Sequence, residues 1–92
     1  MVQIYKKHNF VIYSCYGKKS AYIIHNKHKK FEEGHTHINN YKTAKYIIDM
    51  AYNRSIPKKP ISDYLMKSII RVSEHKSYIQ AMEELRKKYK NR

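Results

Sequence analysis

Apolar residues alternate with polar ones through the first quarter of the chain, which is the pattern of strands that bury one face. Segment 1–7 (MVQIYKK) follows it most clearly. Segment 10–16 (FVIYSCY) is rich in β-branched and aromatic residues and is the best strand candidate, and segment 21–25 (AYIIH) is a third. Short turns separate the three segments. The pattern therefore predicts an antiparallel meander.

The same period of two predicts which side chains share a face of each strand. In the first strand it places Val2 and Ile4 on the buried face and Tyr5 on the other. Tyrosines on the exposed face of a sheet can stack on single-stranded bases, although the pattern leaves open which of them belong to the core. The candidates for this platform are Tyr5, Tyr13, Tyr16 and Tyr22.

A short fourth strand is predicted after a polar, basic turn. Residues 26–33 (NKHKKFEE) are polar around one aromatic residue, Phe31, with which the strand would begin. It would then carry His35 and His37, whose side chains point the same way in an extended chain. The sheet is thus expected to have three or four strands.

From residue 41 the apolar positions recur every three or four residues, as in an amphipathic helix. Asn39 or Asn40 is suited to cap a helix over 41–53, and two prolines bracket the loop 54–61 that follows it. The apolar stripe of this helix consists of Tyr41, Ala44, Ile47, Ile48 and Ala51.

Two further helices are predicted in the last third of the chain. Ser62 is a good N-cap for a helix over 63–72, and Ser77 with Gln80 forms a capping box for the terminal helix. Their inward faces carry Leu65, Ile69 and Val72, and then Tyr78, Met82, Leu85 and Tyr89.

These elements predict one α+β domain over residues 1–92. An N-terminal three- or four-stranded antiparallel β-meander is followed by three α-helices packed on one face of the sheet.

Charge is the strongest global feature of the chain. Lys and Arg number 20 against 7 Asp and Glu, a net charge of +13. AT-rich coding would also enrich Lys, Ile, Asn and Tyr, but it would raise Glu as well, and Glu is scarce. The balance therefore favours a polyanionic partner, either nucleic acid or an acidic protein surface. Because Lys outnumbers Arg, neutralising the phosphate backbone is favoured over reading bases.

Cysteine usage and hydropathy bear on location. The single Cys15 excludes an internal disulfide, which fits a reducing cytoplasm, and no apolar run approaches the length of a membrane span. We therefore expect a cytoplasmic protein with no membrane partner, of bacterial or phage origin, acting in the host cytoplasm if a phage encodes it.

The start of the first predicted helix is the leading candidate for a binding site. Backbone N–H groups at a helix start favour an anion, and His35, His37, Asn40, Lys42 and Lys45 all lie within one turn of it. Ordinary capping beside solvated lysines is the competing interpretation. Supporting contacts are expected from Lys18 and Lys19 and from the C-terminal cluster Arg86, Lys87, Lys88 and Lys90.

Catalysis and metal binding are weakly indicated. His25-x-x-His28 and His35-x-His37 match no usual zinc spacing, so neither a metal nor another cofactor is expected. His35 or His37 would suit a general base, but no second catalytic group is identifiable. The sequence therefore favours a binding protein over an enzyme.

Three functions remain in order of preference. The first is a small basic accessory protein that contacts the phosphate backbone of DNA, RNA or a nucleoprotein. The alternative is a protein-binding, anti-CRISPR-like inhibitor of a host nuclease or defence complex, acting on an acidic or RNA-bearing surface. The third is a small metal-independent ribonuclease toxin. A monomer is expected, or a homodimer formed through the stripe of the third helix.

Overall fold

A computed structural model describes residues 2–14 and 22–90. Predictions for Cys15, Tyr16, Lys18 and Lys19 lie outside these residues. Within them, four strands precede three helices, which confirms the predicted α+β arrangement. The elements are β1 (Val2–Lys7), β2 (Phe10–Ser14), β3 (Tyr22–Asn26), β4 (His35–Ile38), α1 (Tyr41–Asn53), α2 (Asp63–Val72) and α3 (Lys76–Lys90).

The four strands form one antiparallel sheet in the order β1-β2-β3-β4, as expected for a meander. Ile24 of β3 lies opposite Ile12 of β2 on one side and Thr36 of β4 on the other. Side chains of this row face the helices. Thr36 contacts Ser68 of α2 through their hydroxyl oxygens, 3.2 Å apart.

The core fills the space between one face of the sheet and the three helices. Each fully buried isoleucine there contributes roughly 1.5–3 kcal/mol through removal from water. The predicted stripe of α1 is confirmed, since its four aliphatic members are buried and Tyr41 packs against them. The central buried residues are Ile12, Ile24, Ile38, Ile47, Ile48, Met66, Ile69 and Met82.

The predicted faces of β1 are wrong. The register with β2 shifts between Gln3 and Tyr5, so a bulge at Ile4 reverses the alternation. Tyr5 packs against the core, whereas Val2 and Ile4 are 45% and 43% exposed.

Helix boundaries agree closely with the sequence pattern. The bounds of α1 and α2 are as predicted, and Asn40 and Ser62 cap them. Helix α3 begins at Lys76, one residue before the predicted capping box. Ser77 therefore lies inside its first turn and is not the N-cap. None of the helices that the structure describes is long and apolar enough to cross a membrane.

The two edges of the sheet differ. The Tyr64 hydroxyl donates to the His37 carbonyl at 2.6 Å, and Arg71 Nε donates to the His35 carbonyl at 2.8 Å. Helix α2 thus covers the outer edge of β4. The outer edge of β1 is the other end of the sheet, and it displays the two exposed apolar side chains Val2 and Ile4.

Candidate nucleic-acid interface

Helix α1 begins at an exposed cap. Asn40 is extended (φ −140°, ψ 127°), and its side-chain oxygen accepts a hydrogen bond from the Thr43 backbone N–H at 3.0 Å. Its carbonyl accepts from the Ala44 N–H, which opens the helical ladder. The remaining first-turn N–H groups have no intrahelical partner, and they give this end partial positive charge.

Three tyrosine rings gather beside this cap. The Tyr41 ring lies 5.7 Å from that of Tyr22 and 6.4 Å from that of Tyr5, between ring centroids. The Lys45 ammonium sits 5.1 Å from the Tyr5 ring centroid and 5.8 Å from that of Tyr41. Such cation–π contacts are worth about 0.5–1 kcal/mol at exposed sites, so they hold this ammonium against the rings.

A depression of about 450 Å³ opens between the rings and the cap. All the residues that line it carry polar groups, and they are Tyr22, Asn39, Asn40, Tyr41 and the exposed Lys42. These groups include several hydrogen-bond donors and no carboxylate. The depression is therefore suited to an anion that also presents a flat, apolar surface.

The exposed side of α1 continues this surface. Lys42, Tyr46, Asp49 and Tyr52 follow helical spacing, and each tyrosine is 38% exposed. The carboxylate of Asp49 is paired at 2.8 Å with Lys7 from β1, and this hydrogen bond raises the pKa of the lysine. The stripe thus carries one lysine and two tyrosines together with an acid that is paired with a lysine of β1.

The structure separates the predicted histidines from the predicted lysines. Because Thr36 and Ile38 of β4 face the helices, His35 and His37 project from the opposite face of the sheet. Their rings lie 5.1 Å apart there, which agrees with the predicted shared direction. Neither ring joins Lys42 and Lys45 at the helix start.

The outer face of the sheet carries an aromatic cluster of different composition from the predicted tyrosine platform. Phe31 stacks on His35 at 4.2 Å, and His25 meets Phe31 edge-on at 5.2 Å. Tyr5 and Tyr22, which were candidates for this face, pack instead on the helix side. The bulge in β1 explains the placement of Tyr5.

The C-terminal cluster is divided between two environments. Arg86 is 19% exposed and pairs with Asp63 at 2.6 Å and with Glu83 at 3.7 Å. The hydrogen bond between Arg86 and Asp63 lowers the pKa of the carboxyl group and raises that of the guanidinium. Lys87, Lys88 and Lys90 lie exposed in the last turns of α3.

Sequence reasoning missed a second polar cleft at the other end of α1. It contains His28, Arg54, Glu74 and His75, which come from three separate connections. His28 and Glu74 are 46 residues apart, so no local motif signals their contact. Within residues 2–14 and 22–90, no three His, Cys, Asp or Glu side chains are grouped to hold a metal ion.

Comparisons with protein-family models, with curated proteins and with solved structures gave no match for this chain.

Proposed function

We propose that this protein binds nucleic acid through the start and exposed side of helix α1. The observation that carries the proposal is the Lys45 ammonium held over the Tyr5 and Tyr41 rings beside the exposed Asn40 cap. Lysines supply phosphate contacts, and tyrosine rings supply surfaces on which bases stack.

Single strands suit this surface better than duplexes. The exposed Tyr46 ring stands on a convex helix where unpaired bases can stack on it, whereas the Tyr52 ring is already stacked on His8 with 4.5 Å between the ring centroids. Asn40, Lys42 and Lys45 would hold the backbone at one end. Because lysine is a point charge without a rigid fork, the expected binding has little sequence preference.

More than half of the acidic side chains have a local partner. Four of the seven acidic residues, Asp49, Asp63, Glu74 and Glu83, are paired with cationic or imidazole side chains. The depression at the start of α1 is lined by no acidic residue. A net charge of +13 would accelerate encounter with a polyanion at low salt.

The test is a salt titration of labelled single-stranded DNA, single-stranded RNA and duplex DNA with the full chain. Each phosphate contact should contribute roughly 0.7 to the log–log slope for single strands. Replacing Lys42 and Lys45 together by Gln should lower the slope by about 1.4 and weaken binding. The matched control replaces the loop residues Lys58 and Lys59 by Gln, with the same loss of charge.

Equal weakening by both double variants would show that net charge alone drives association and would overturn the assignment to α1. The triple variant Lys87→Gln, Lys88→Gln, Lys90→Gln tests the C-terminal lysines in the same assay.

A protein-binding function is the second candidate, and the outer edge of β1 favours it. Strands with unpaired edges recruit partner strands, and here Val2 and Ile4 add exposed apolar side chains while α2 covers the opposite edge. Under the inhibitor interpretation this edge would join a host nuclease or defence complex.

The variant Val2→Lys with Ile4→Lys tests that candidate. It should abolish capture of a protein partner while leaving the salt slope with nucleic acid no lower than in the wild type. If this variant still captured the partner, the outer edge of β1 would be excluded as the docking site.

A further inference from the structure

The cleft at the end of α1 is built from four separate segments. The β1–β2 turn supplies Asn9, the β3–β4 turn supplies His28, the end of α1 supplies Arg54, and the α2–α3 connection supplies Glu74 and His75. Its volume is about 570 Å³, which is large enough for a phosphorylated small molecule. Polar and apolar surfaces contribute about equally to its walls, and most of the side chains that line it carry hydrogen-bond donors.

A buried asparagine fixes the floor of the cleft. Asn26 is fully buried, and its amide donates to the Val72 carbonyl at 2.8 Å. Its side-chain oxygen accepts from the Asn9 amide at 2.7 Å and from the His28 backbone N–H at 2.9 Å. The Asn26 side chain therefore holds the β1–β2 turn and the β3–β4 turn against the end of α2.

The carboxylate that lines the cleft already has partners. His28 Nδ1 lies 3.0 and 3.1 Å from the two carboxylate oxygens of Glu74, and the Asn9 amide donates to one of them at 3.3 Å. A carboxylate only accepts hydrogen bonds, so Nδ1 of His28 carries a proton and Nε2 is the ring nitrogen that remains for a ligand. The pairing orients the imidazole and occupies the carboxylate oxygens of Glu74 with hydrogen bonds.

An arginine ends α1 in a backbone conformation that arginine seldom adopts. Arg54 has φ 51° and ψ 47°, the left-handed region where glycine or asparagine is usual at a helix end. Within residues 2–14 and 22–90 no carboxylate forms an ion pair with its guanidinium. The fork is thus exposed at the cleft with its donors directed to solvent or to a ligand.

From this arrangement we propose that the cleft is a binding site for a phosphate monoester. Arg54 supplies the bidentate contact that suits phosphate oxygens, and the N–H of the His75 imidazole can donate to a remaining oxygen. The ligand is either a free nucleotide or the phosphorylated end of a strand. The site is separate from the one at the start of α1, since 13 residues of helix span about 20 Å.

The test is an NMR titration of the full chain with adenosine 5′-monophosphate, and with adenosine as the unphosphorylated control. Shifts should saturate at Asn9, His28 and Arg54 with the nucleotide only. Arg54→Gly keeps a residue suited to the backbone conformation and removes the fork, so affinity should fall about tenfold or more. Lys59→Gln, which removes the same charge from the loop, should stay within about twofold of the wild type.

A second comparison identifies the source of the phosphate. A trinucleotide with a 5′-phosphate is titrated beside the same trinucleotide with a 5′-hydroxyl. Tighter binding of the phosphorylated form than of adenosine 5′-monophosphate indicates a strand end, and equal binding indicates a free nucleotide. Both results support the site.

Three results would overturn the proposal: no saturable shifts at the cleft, equal binding of adenosine and its monophosphate, or wild-type affinity in Arg54→Gly. The double variant Lys42→Gln, Lys45→Gln keeps this experiment distinct from the proposed function. It should weaken strand binding and retain the monophosphate shifts.

Discussion

Different kinds of interaction hold the two ends of helix α1 in place. At the start, two hydrogen bonds from Thr43 to the Asn40 cap and contacts among aromatic rings and one lysine define the surface. At the end, hydrogen bonds fix the chain from several directions, and a fully buried asparagine anchors the cleft. Contacts between aromatic rings persist when the side chains shift slightly. A buried polar group that loses its hydrogen-bond partner, in contrast, lowers the stability of the fold. The end should therefore be the less tolerant of substitution.

The largest expected effect is at Asn26. Replacement by Ala leaves the Val72 carbonyl, the Asn9 amide and the His28 N–H without their buried partner. The free energy of unfolding should fall by about 2–4 kcal/mol in urea titrations. The control Asn39→Ala, at an exposed asparagine near the start of α1, should change it by less than about 0.5 kcal/mol. Similar losses of unfolding free energy in both variants would show that the two ends of α1 are equally tolerant of substitution.

Tyr78 provides the next largest effect, because its hydroxyl donates to the Ser55 carbonyl at 2.7 Å and lies 3.3 Å from the Met50 carbonyl. Tyr78→Phe should lower the free energy of unfolding by about 1–2 kcal/mol at neutral pH. The exposed Tyr46→Phe is the control, with a change below about 0.5 kcal/mol.

The same hydroxyl should give the wild type a distinct dependence on pH. Burial raises the pKa of Tyr78 from its ordinary 10.0 to about 12. The unfolded chain therefore loses this proton first, so stability is intact below pH 10 and declines as pH rises through 12. The advantage of the wild type over Tyr78→Phe should shrink across that interval. A constant difference between the two proteins would contradict the burial of this hydroxyl.

The start of α1 was easier to predict from the sequence than its end, because the start is built by residues that are close together in the chain. The cap at Asn40 and the stripe from Tyr41 to Ala51 obey short-range rules, and both were predicted correctly. The cleft depends on contacts such as Asn26 with Val72, 46 residues apart, which no periodicity encodes. A β-bulge interrupts the alternation of side chains in β1 and places Tyr5 on the helix side of the sheet. Likewise, the alternation of β4 places His35 and His37 correctly only once the helix layer is known.

At the start of α1, substitutions of Asn40 can distinguish its capping role from a role in anion binding. Asn40→Ala should lower the free energy of unfolding by about 1 kcal/mol, because the Thr43 N–H loses its acceptor. Asn40→Asp keeps the acceptor and complements the helix dipole, so stability should stay close to that of the wild type. The new carboxylate should nevertheless weaken single-strand binding several-fold by repulsion. Wild-type affinity in Asn40→Asp would exclude phosphate from the helix start.

At the end of α1, Arg54→Gly should have the smallest effect on stability and the opposite sign. A left-handed backbone costs a residue with a side chain about 1 kcal/mol relative to glycine, partly offset by the greater freedom of glycine in the unfolded chain. The free energy of unfolding should therefore rise slightly, by about 0.5 kcal/mol. A rise accompanied by loss of nucleotide binding would mean that the arginine serves the ligand at the expense of the fold. A fall would mean that its side chain supports the helix end, and the difference between the two ends of α1 would then be structural and not functional.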